Sequence, residues 1–274
     1  MKNVMVIGVG VALLSGAFMS VTNASHSWNG FHWARTASPF TLQLGDNVSS
    51  TWDGYLATAA NDWSVSAVLD TIVATGATKA SNCKATSGRV EVCSSKYGNT
   101  GWLGVAQVWV SGSHITKGTV KLNDTYFNTR TYNTPAWRNL VMCQEVGHTL
   151  GLDHQDEKFD NANLNTCMDY TNDPSGTLYG QLGNEHPNQH DYDELAEIYA
   201  HVDSTNTVFP YTGDAGGGGS KGRGKPNAVG PDIDLNNPSA WGQAIRQDAR
   251  GNNSVYVRNL GGGEKLFTFV TWAQ

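Results

Sequence analysis

Charge is what this sequence has least of. Only 15% of its 274 residues are Asp, Glu, Lys or Arg, against roughly 25% in an average soluble protein. The balance is acidic, with 18 Lys and Arg against 24 Asp and Glu and a formal net charge of −6. No basic block is present. Phosphate contacts need clustered Lys and Arg, so nucleic acid is a poor partner, and so is an anionic membrane surface. Cysteine is scarce at 4, and no two are spaced C-x-x-C, which argues against a four-cysteine zinc site. There is no internal repeat, and beyond residue 24 no apolar run long enough to span a bilayer. What is present is apolar and aromatic: 39% hydrophobic residues, including 9 Trp, 10 Tyr and 8 Phe. That is enough for a sizeable core and excludes wholesale disorder.

The first residues read as a targeting segment. Lys2 is the only charge before Ser25, Val4 to Met19 is apolar except for Gly and Ser, and Val21-Thr22-Asn23-Ala24 is a small-residue ending. This pattern predicts a signal peptide over 1–24, cleaved after Ala24, and a secreted, extracellular mature chain with no membrane segment. The run is short for a spanning helix. An oxidising route suits disulfides. Cys83, Cys93, Cys143 and Cys167 admit three connectivities, and sequence proximity favours Cys83–Cys93 and Cys143–Cys167.

Strands are expected at 40–44, 67–74, 89–93, 103–111 and 115–122, from alternating or β-branched-rich patterns. Apolar residues at helical spacing predict helices over 51–63, 137–150 and 189–201, the second stopped by Gly151 and the third preceded by Pro187. Strands therefore dominate the first half and helices the second. The main domain is read as 25–212. A Gly-rich stretch with four consecutive Gly marks a linker over 213–231. Residues 232–274 form a small β-rich C-terminal segment, with strands near 240–245, 254–260 and 265–272. Such a segment is too short for an independent domain and could pack on the main body or form an accessory module. A sugar-binding surface built from Trp241 and Trp272 is a less favoured use of it.

The chemistry is concentrated in residues 143–156, Cys-Gln-Glu-Val-Gly-His-Thr-Leu-Gly-Leu-Asp-His-Gln-Asp. On a helix Gln144 and His148 share a face, with Glu145 beside it. Gly151 can end the helix and turn the chain so that His154 returns toward His148. Imidazoles bind zinc, and a nearby Glu can take a proton from metal-bound water. Glu145, His148, Gly151 and His154 stand at the offsets of H-E-x-x-H-x-x-G-x-x-H, so the segment resembles the zinc signature of the metzincin metalloproteases. Cys167-Met168-Asp169-Tyr170 is similar to that family's Met-turn, and a Tyr two places after the Met is similar to the astacin and serralysin branches. The resemblance spans roughly 38–201 in order of elements and is motif-specific only over 144–170.

The resemblance implies an α+β domain with a twisted, mostly parallel mixed sheet, a backing helix and an active-site helix. It implies hydrolysis of internal peptide bonds by metal-activated water: His148 and His154 on zinc, Glu145 as general base, Tyr170 supporting the oxyanion, Met168 beneath the metal. A peptide or protein substrate is expected to add to an edge strand near 103–111 or 115–122, and the chain is expected to act as a monomer. Gln144 stands where the family has its first zinc-ligating His. A neutral amide oxygen suits calcium or magnesium better than zinc, which leaves three readings. Gln144 could ligate through oxygen. Another group, such as His186 or His190, could supply the third ligand. Or the site could be empty, in a catalytically inactive protein that binds peptides. Asp153 and Asp156 could orient a His. The oxygen-rich loop Asp156, Glu157, Asp160, Asn161, Asn163, Asn165 lacks EF-hand spacing, so calcium is unsupported there and a solvated loop is expected. Asn47, Asn123 and Asn252 open glycosylation sequons.

Overall fold

The computed structural model describes residues 25–210 and 234–274. The signal peptide expected over 1–24 and the linker expected over 213–231 lie outside the described residues. The architecture is α+β. In chain order the elements are β1 (His32–Trp33), β2 (Phe40–Asn47), α1 (Asp53–Trp63), β3 (Leu69–Thr75), β4 (Val90–Ser95), β5 (Trp102–Ser111) and β6 (His114–Asn123). Then come α2 (Asp124–Phe127), α3 (Pro135–Thr149), α4 (Gln189–Ile198), β7 (Gln243–Gln247), β8 (Asn253–Gly261) and β9 (Glu264–Trp272). A single 3-10 turn precedes β7 at Pro238–Ala240.

The strands form one nine-stranded sheet in the order β3-β2-β4-β6-β5-β9-β8-β7, with β1 paired to the start of β6. The expectation of a mostly parallel sheet needs correction. Pairs β1–β6, β2–β3, β2–β4 and β4–β6 are parallel. Pairs β5–β6, β5–β9, β8–β9 and β7–β8 are antiparallel. Antiparallel pairing follows from hairpins, which tight Gly turns permit. Gly112 closes β5–β6 at φ +61°, and Gly262 and Gly263, both at positive φ, close β8–β9.

The C-terminal strands thus continue the main sheet. Neither β5 nor β6 is an edge: β5 lies between β6 and β9, and β6 between β4 and β5. The open edge expected near 103–111 or 115–122 is filled by the chain's own β9.

Helices α1 and α3 pack together on the sheet. The main core gathers Trp33, Leu44, Trp63, Val120, Val141 and Phe269, among others. A smaller cluster holds Trp102, Val105, Trp241 and Val270. Trp241 is fully buried there, so it offers no sugar-binding face.

Helix α3 starts at Thr134, whose hydroxyl accepts from the Trp137 amide, with Pro135 in the first turn, where its missing N–H costs nothing. Apolar neighbours bury it nearly all round. It stops where Gly151 takes φ +105°, at a point where a Cβ would lie 2.5 Å from the Phe31 carbonyl oxygen. Helix α4 opens with a capping box between Asn188 and Asp191. It ends at Ile198, short of the expected 201, because the chain then turns to pair with the N-terminal segment: Asp203 and Thr207 donate their amides to Arg35 and Ala34. Both expected disulfide pairs are present, Cys83–Cys93 and Cys143–Cys167. Among the described residues no helix is long and apolar enough to cross a membrane.

Candidate metal and peptide site

The site is built where α3, the turn after it and the segment around Met168 meet β5 and β9. His148, on the last turn of α3, places Nδ1 2.9 Å from the Leu152 carbonyl oxygen. A carbonyl only accepts, so Nδ1 carries the proton and Nε2 presents a lone pair. The turn at Gly151 brings His154 back, with its Nε2 3.0 Å from that of His148. His154 Nδ1 lies 3.2 Å from Glu157 Oε1, which likewise assigns the proton to Nδ1. Two lone pairs therefore face each other, an arrangement that calls for a cation between them. Burial and the neighbouring His154 push the His148 imidazolium well below its usual range, so a proton is a poor candidate for that cation.

Glu145 is fully buried between α3 and the sheet. Gly104 on β5 makes this possible: a Cβ there would lie 2.5 Å from Glu145 Oε1 and from a Val141 methyl. Across the ladder from Gly104 stands Thr271 of β9. Its hydroxyl is 2.7 Å from Glu145 Oε1 and 2.6 Å from Gln144 Oε1. The Gln144 amide nitrogen donates to the Cys167 carbonyl at 2.9 Å, which fixes the oxygen toward Thr271. The hydroxyl donates to both oxygens. Burial pushes the Glu145 carboxyl up, to about 8, against the opposing hydrogen bonds of Thr271 and the Ala106 backbone. The other carboxyl oxygen, Oε2, has no hydrogen-bond partner among the described residues.

The segment resembling a Met-turn lies beneath α3. Met168 is fully buried, and its sulfur would be 2.6 Å from a Cβ on Gly147, so that glycine admits it. The Cys143–Cys167 bridge fastens helix to turn. Tyr170 stacks on Phe159 and leans on His154, with ring centroids 4.9 and 4.3 Å away. Its hydroxyl donates to the Val270 carbonyl of β9 at 3.3 Å, and burial raises its pKa well above the usual value.

The structure brings Glu145, His148, His154, Met168 and Tyr170 together. It engages Gln144 elsewhere, on Cys167 and Thr271. His186 pairs with Asp62 at 2.7 Å on α1, and His190 stacks on His26. The oxygen-rich loop satisfies itself in part: Asp156 accepts from the Lys158 amide and from Asn161. Asp153 does support the site, capping the His154 amide.

Three contributors had no signal in the motif. Phe269 of β9 stacks on His148 at 4.4 Å and 12° between planes. Thr271 engages Gln144 and Glu145. Arg246 of β7 sets its guanidinium between Asp153 and Glu157. That positive charge already serves the Asp153, His154 and Glu157 cluster, whose ligand atoms lie close enough to hold an ion. The only hint was the Phe267, Phe269, Thr271 alternation, which marks a strand with a buried face but names no partner.

Two converging imidazoles with locked Nδ1 protons fit zinc. Gln144, with both amide atoms committed, does not complete the set in this arrangement. No family model and no curated protein sequence matches the chain. Among solved structures it is similar to high choriolytic enzyme 1, a hatching-enzyme zinc-protease of the medaka fish Oryzias latipes. The identity is 13% and the TM-score 0.35, over 62% of this chain and 94% of that one.

Proposed function

We infer that this chain is a secreted, metzincin-type zinc endopeptidase domain held in a self-blocked state by its own C-terminal strand. The observation that carries the reading is β9. It runs antiparallel along β5, as a bound peptide would, and crosses the site with the Val270 carbonyl under the Tyr170 hydroxyl and Thr271 on Glu145. Export is supported by the apolar leader and the two disulfides.

With β9 displaced, β5 would orient a substrate peptide by main-chain hydrogen bonds. Zinc, when held by His148 and His154, supplies a Lewis acid for the scissile carbonyl and for water. Glu145 takes the proton of the attacking water and passes it to the leaving amine. Tyr170 donates to the carbonyl oxygen as negative charge develops there.

Opening is costly. Leu266, Phe267, Phe269 and Val270 are all buried, and at about 1.5–3 kcal/mol each they hold β9 by on the order of 10 kcal/mol. The intact chain is therefore silent, and activity requires loss of the tail rather than breathing of the strand.

A second reading, the inactive peptide-binding relative, is favoured by one observation: Gln144 spends both amide atoms on structure. The test is zinc retention and peptide cleavage by the full chain before and after proteolysis in 213–231 and release of the tail, with chelator and Glu145→Gln controls. Chelator-sensitive cleavage on tail release supports the endopeptidase. Release without zinc retention or cleavage, with zinc regained by Gln144→His, establishes the inactive reading.

A further inference from the structure

At the N-terminal end of β6, three histidines converge on one carboxylate oxygen. Asp203 Oδ1 lies 3.4 Å from His32 Nε2, 3.2 Å from His114 Nε2 and 3.6 Å from His201 Nε2. His32 sits on β1 and His114 opens β6, paired with it in register. His201 and Asp203 follow α4. The His32 ring lies edge-on to those of His114 and His201, with centroids 5.1 and 4.9 Å away.

His32 Nδ1 is 2.9 Å from the Gly30 carbonyl oxygen, so the proton of a neutral ring is on Nδ1 and a lone pair on Nε2. That lone pair points at a carboxylate oxygen; a bound cation satisfies the pair, and so does a second proton on the ring, and the two differ in whether added zinc is retained. The same oxygen faces two more imidazoles. The other, Oδ2, is already held by the Arg35 amide at 3.0 Å, with the Arg35 guanidinium at 3.8 Å.

We propose that His32, His201 and Asp203, whose ligand atoms all lie within 4.8 Å of one another, hold a zinc ion separate from the His148–His154 pair, with His114 beside them on Asp203. Ligands of a tetrahedral zinc with bond lengths near 2.0–2.2 Å stand roughly 3.3 Å apart, close to the distances that Asp203 already keeps to His32 and His201. Two imidazoles and one carboxylate suit zinc better than magnesium or calcium. Three protein ligands leave the fourth position to water. The carbonyl of Gly30 and the amide of Arg35 orient the ligands from behind. His32 is buried and Asp203 half-buried, whereas the His201 side chain is 60% exposed, so an ion can enter from solvent.

Such an ion would add a cross-link between the N-terminal segment and the return after α4, which already meet through the Asp203 amide and the Arg35 carbonyl. The neighbouring Trp33 donates its indole N–H to the Thr149 carbonyl, and Trp28 to that of His148. The clamp therefore secures the segment that satisfies the end of α3.

The test titrates the chelator-stripped full chain with Zn²⁺ against a chromophoric chelator, with Co²⁺ absorption as a second readout of tetrahedral coordination. His201→Ala is the main variant, because its side chain reaches solvent and tolerates truncation. One zinc equivalent should survive replacement of His148 and His154 by Ala, and adding His201→Ala to that variant should weaken it by about 10-fold or more. Zinc should raise the Tm of the His148/His154 variant and not of the same variant carrying His201→Ala. If the His148/His154 variant does not fold, loss of one equivalent from wild-type stoichiometry in His201→Ala makes the same point. Zinc binding unchanged by His201→Ala, or a single equivalent that depends only on His148 and His154, overturns the proposal.

Discussion

Thr271→Val tests the bond network that seals the site. The substitution keeps the shape of a side chain on β9 and removes only its hydroxyl. In the wild type that hydroxyl is 2.6 Å from Gln144 Oε1 and 2.7 Å from Glu145 Oε1, all three groups being buried. That hydroxyl donates to both oxygens. Valine leaves the Gln144 and Glu145 oxygens without their shared donor. A buried polar group stripped of its partner costs about 1–3 kcal/mol, so the two together should cost about 2–6 kcal/mol. The assay is urea unfolding of the full chain with disulfides intact. The midpoint should fall while the slope stays constant, because the surface exposed on unfolding is unchanged. Thr271→Ser, which keeps the hydroxyl, should lose only the methyl contribution of about 1 kcal/mol. A valine variant within about 0.5 kcal/mol of wild type would mean that water reaches Gln144 and Glu145, and the sealed-site argument would fail with it.

Burial lowers the Lys121 ammonium from 10.5 to about 8, with Asp234 opposing. Between those values only the unfolded chain keeps the proton, so stability rises with pH through that window by about 3 kcal/mol. The unfolding free-energy difference between wild type and Lys121→Met should shift in favour of wild type by that amount from about pH 7.5 to 10.5; a flat difference means a solvated ammonium. Replacing Cys143 and Cys167 together by Ala opens a loop with a sequence separation of 24 and should cost about 3–4 kcal/mol in urea unfolding. Gly151→Ala puts a Cβ at φ +105° and 2.5 Å from the Phe31 carbonyl, and a drop in Tm on the order of 5 °C is expected in a thermal scan.

What the sequence made legible was local. The offsets of Glu145, His148, Gly151 and His154 encode a helix, its stop and a return, and the structure has all three because helical spacing and the freedom of one glycine are properties of the chain itself. The strand at 40–44 and the helix over 51–63 were readable for the same reason, as one-faced periodic patterns. Long-range pairing was not readable. Nothing in Phe267, Phe269 and Thr271 says that their strand lies on β5, because a strand pattern specifies which face is buried and leaves the neighbour to global packing. The Gly104 position illustrates the point. In sequence it is a weak spot in a strand. In the fold its missing side chain lets Glu145 reach across to Thr271, so one residue's absence of atoms links helix and C-terminal strand. The histidine cluster was hidden by the same separation: His32 and Asp203 are 171 positions apart and meet only because β1 pairs with β6 and the chain returns after α4. The departure at Gln144 was visible at once, and its consequence was not. An amide in place of an imidazole reads as a weakened ligand in isolation. Beside Cys167 and Thr271 it is a hydrogen-bonding strut that anchors the C-terminal strand. Site and seal are therefore coupled through one side chain, and Gln144→His should loosen β9 while it improves zinc retention.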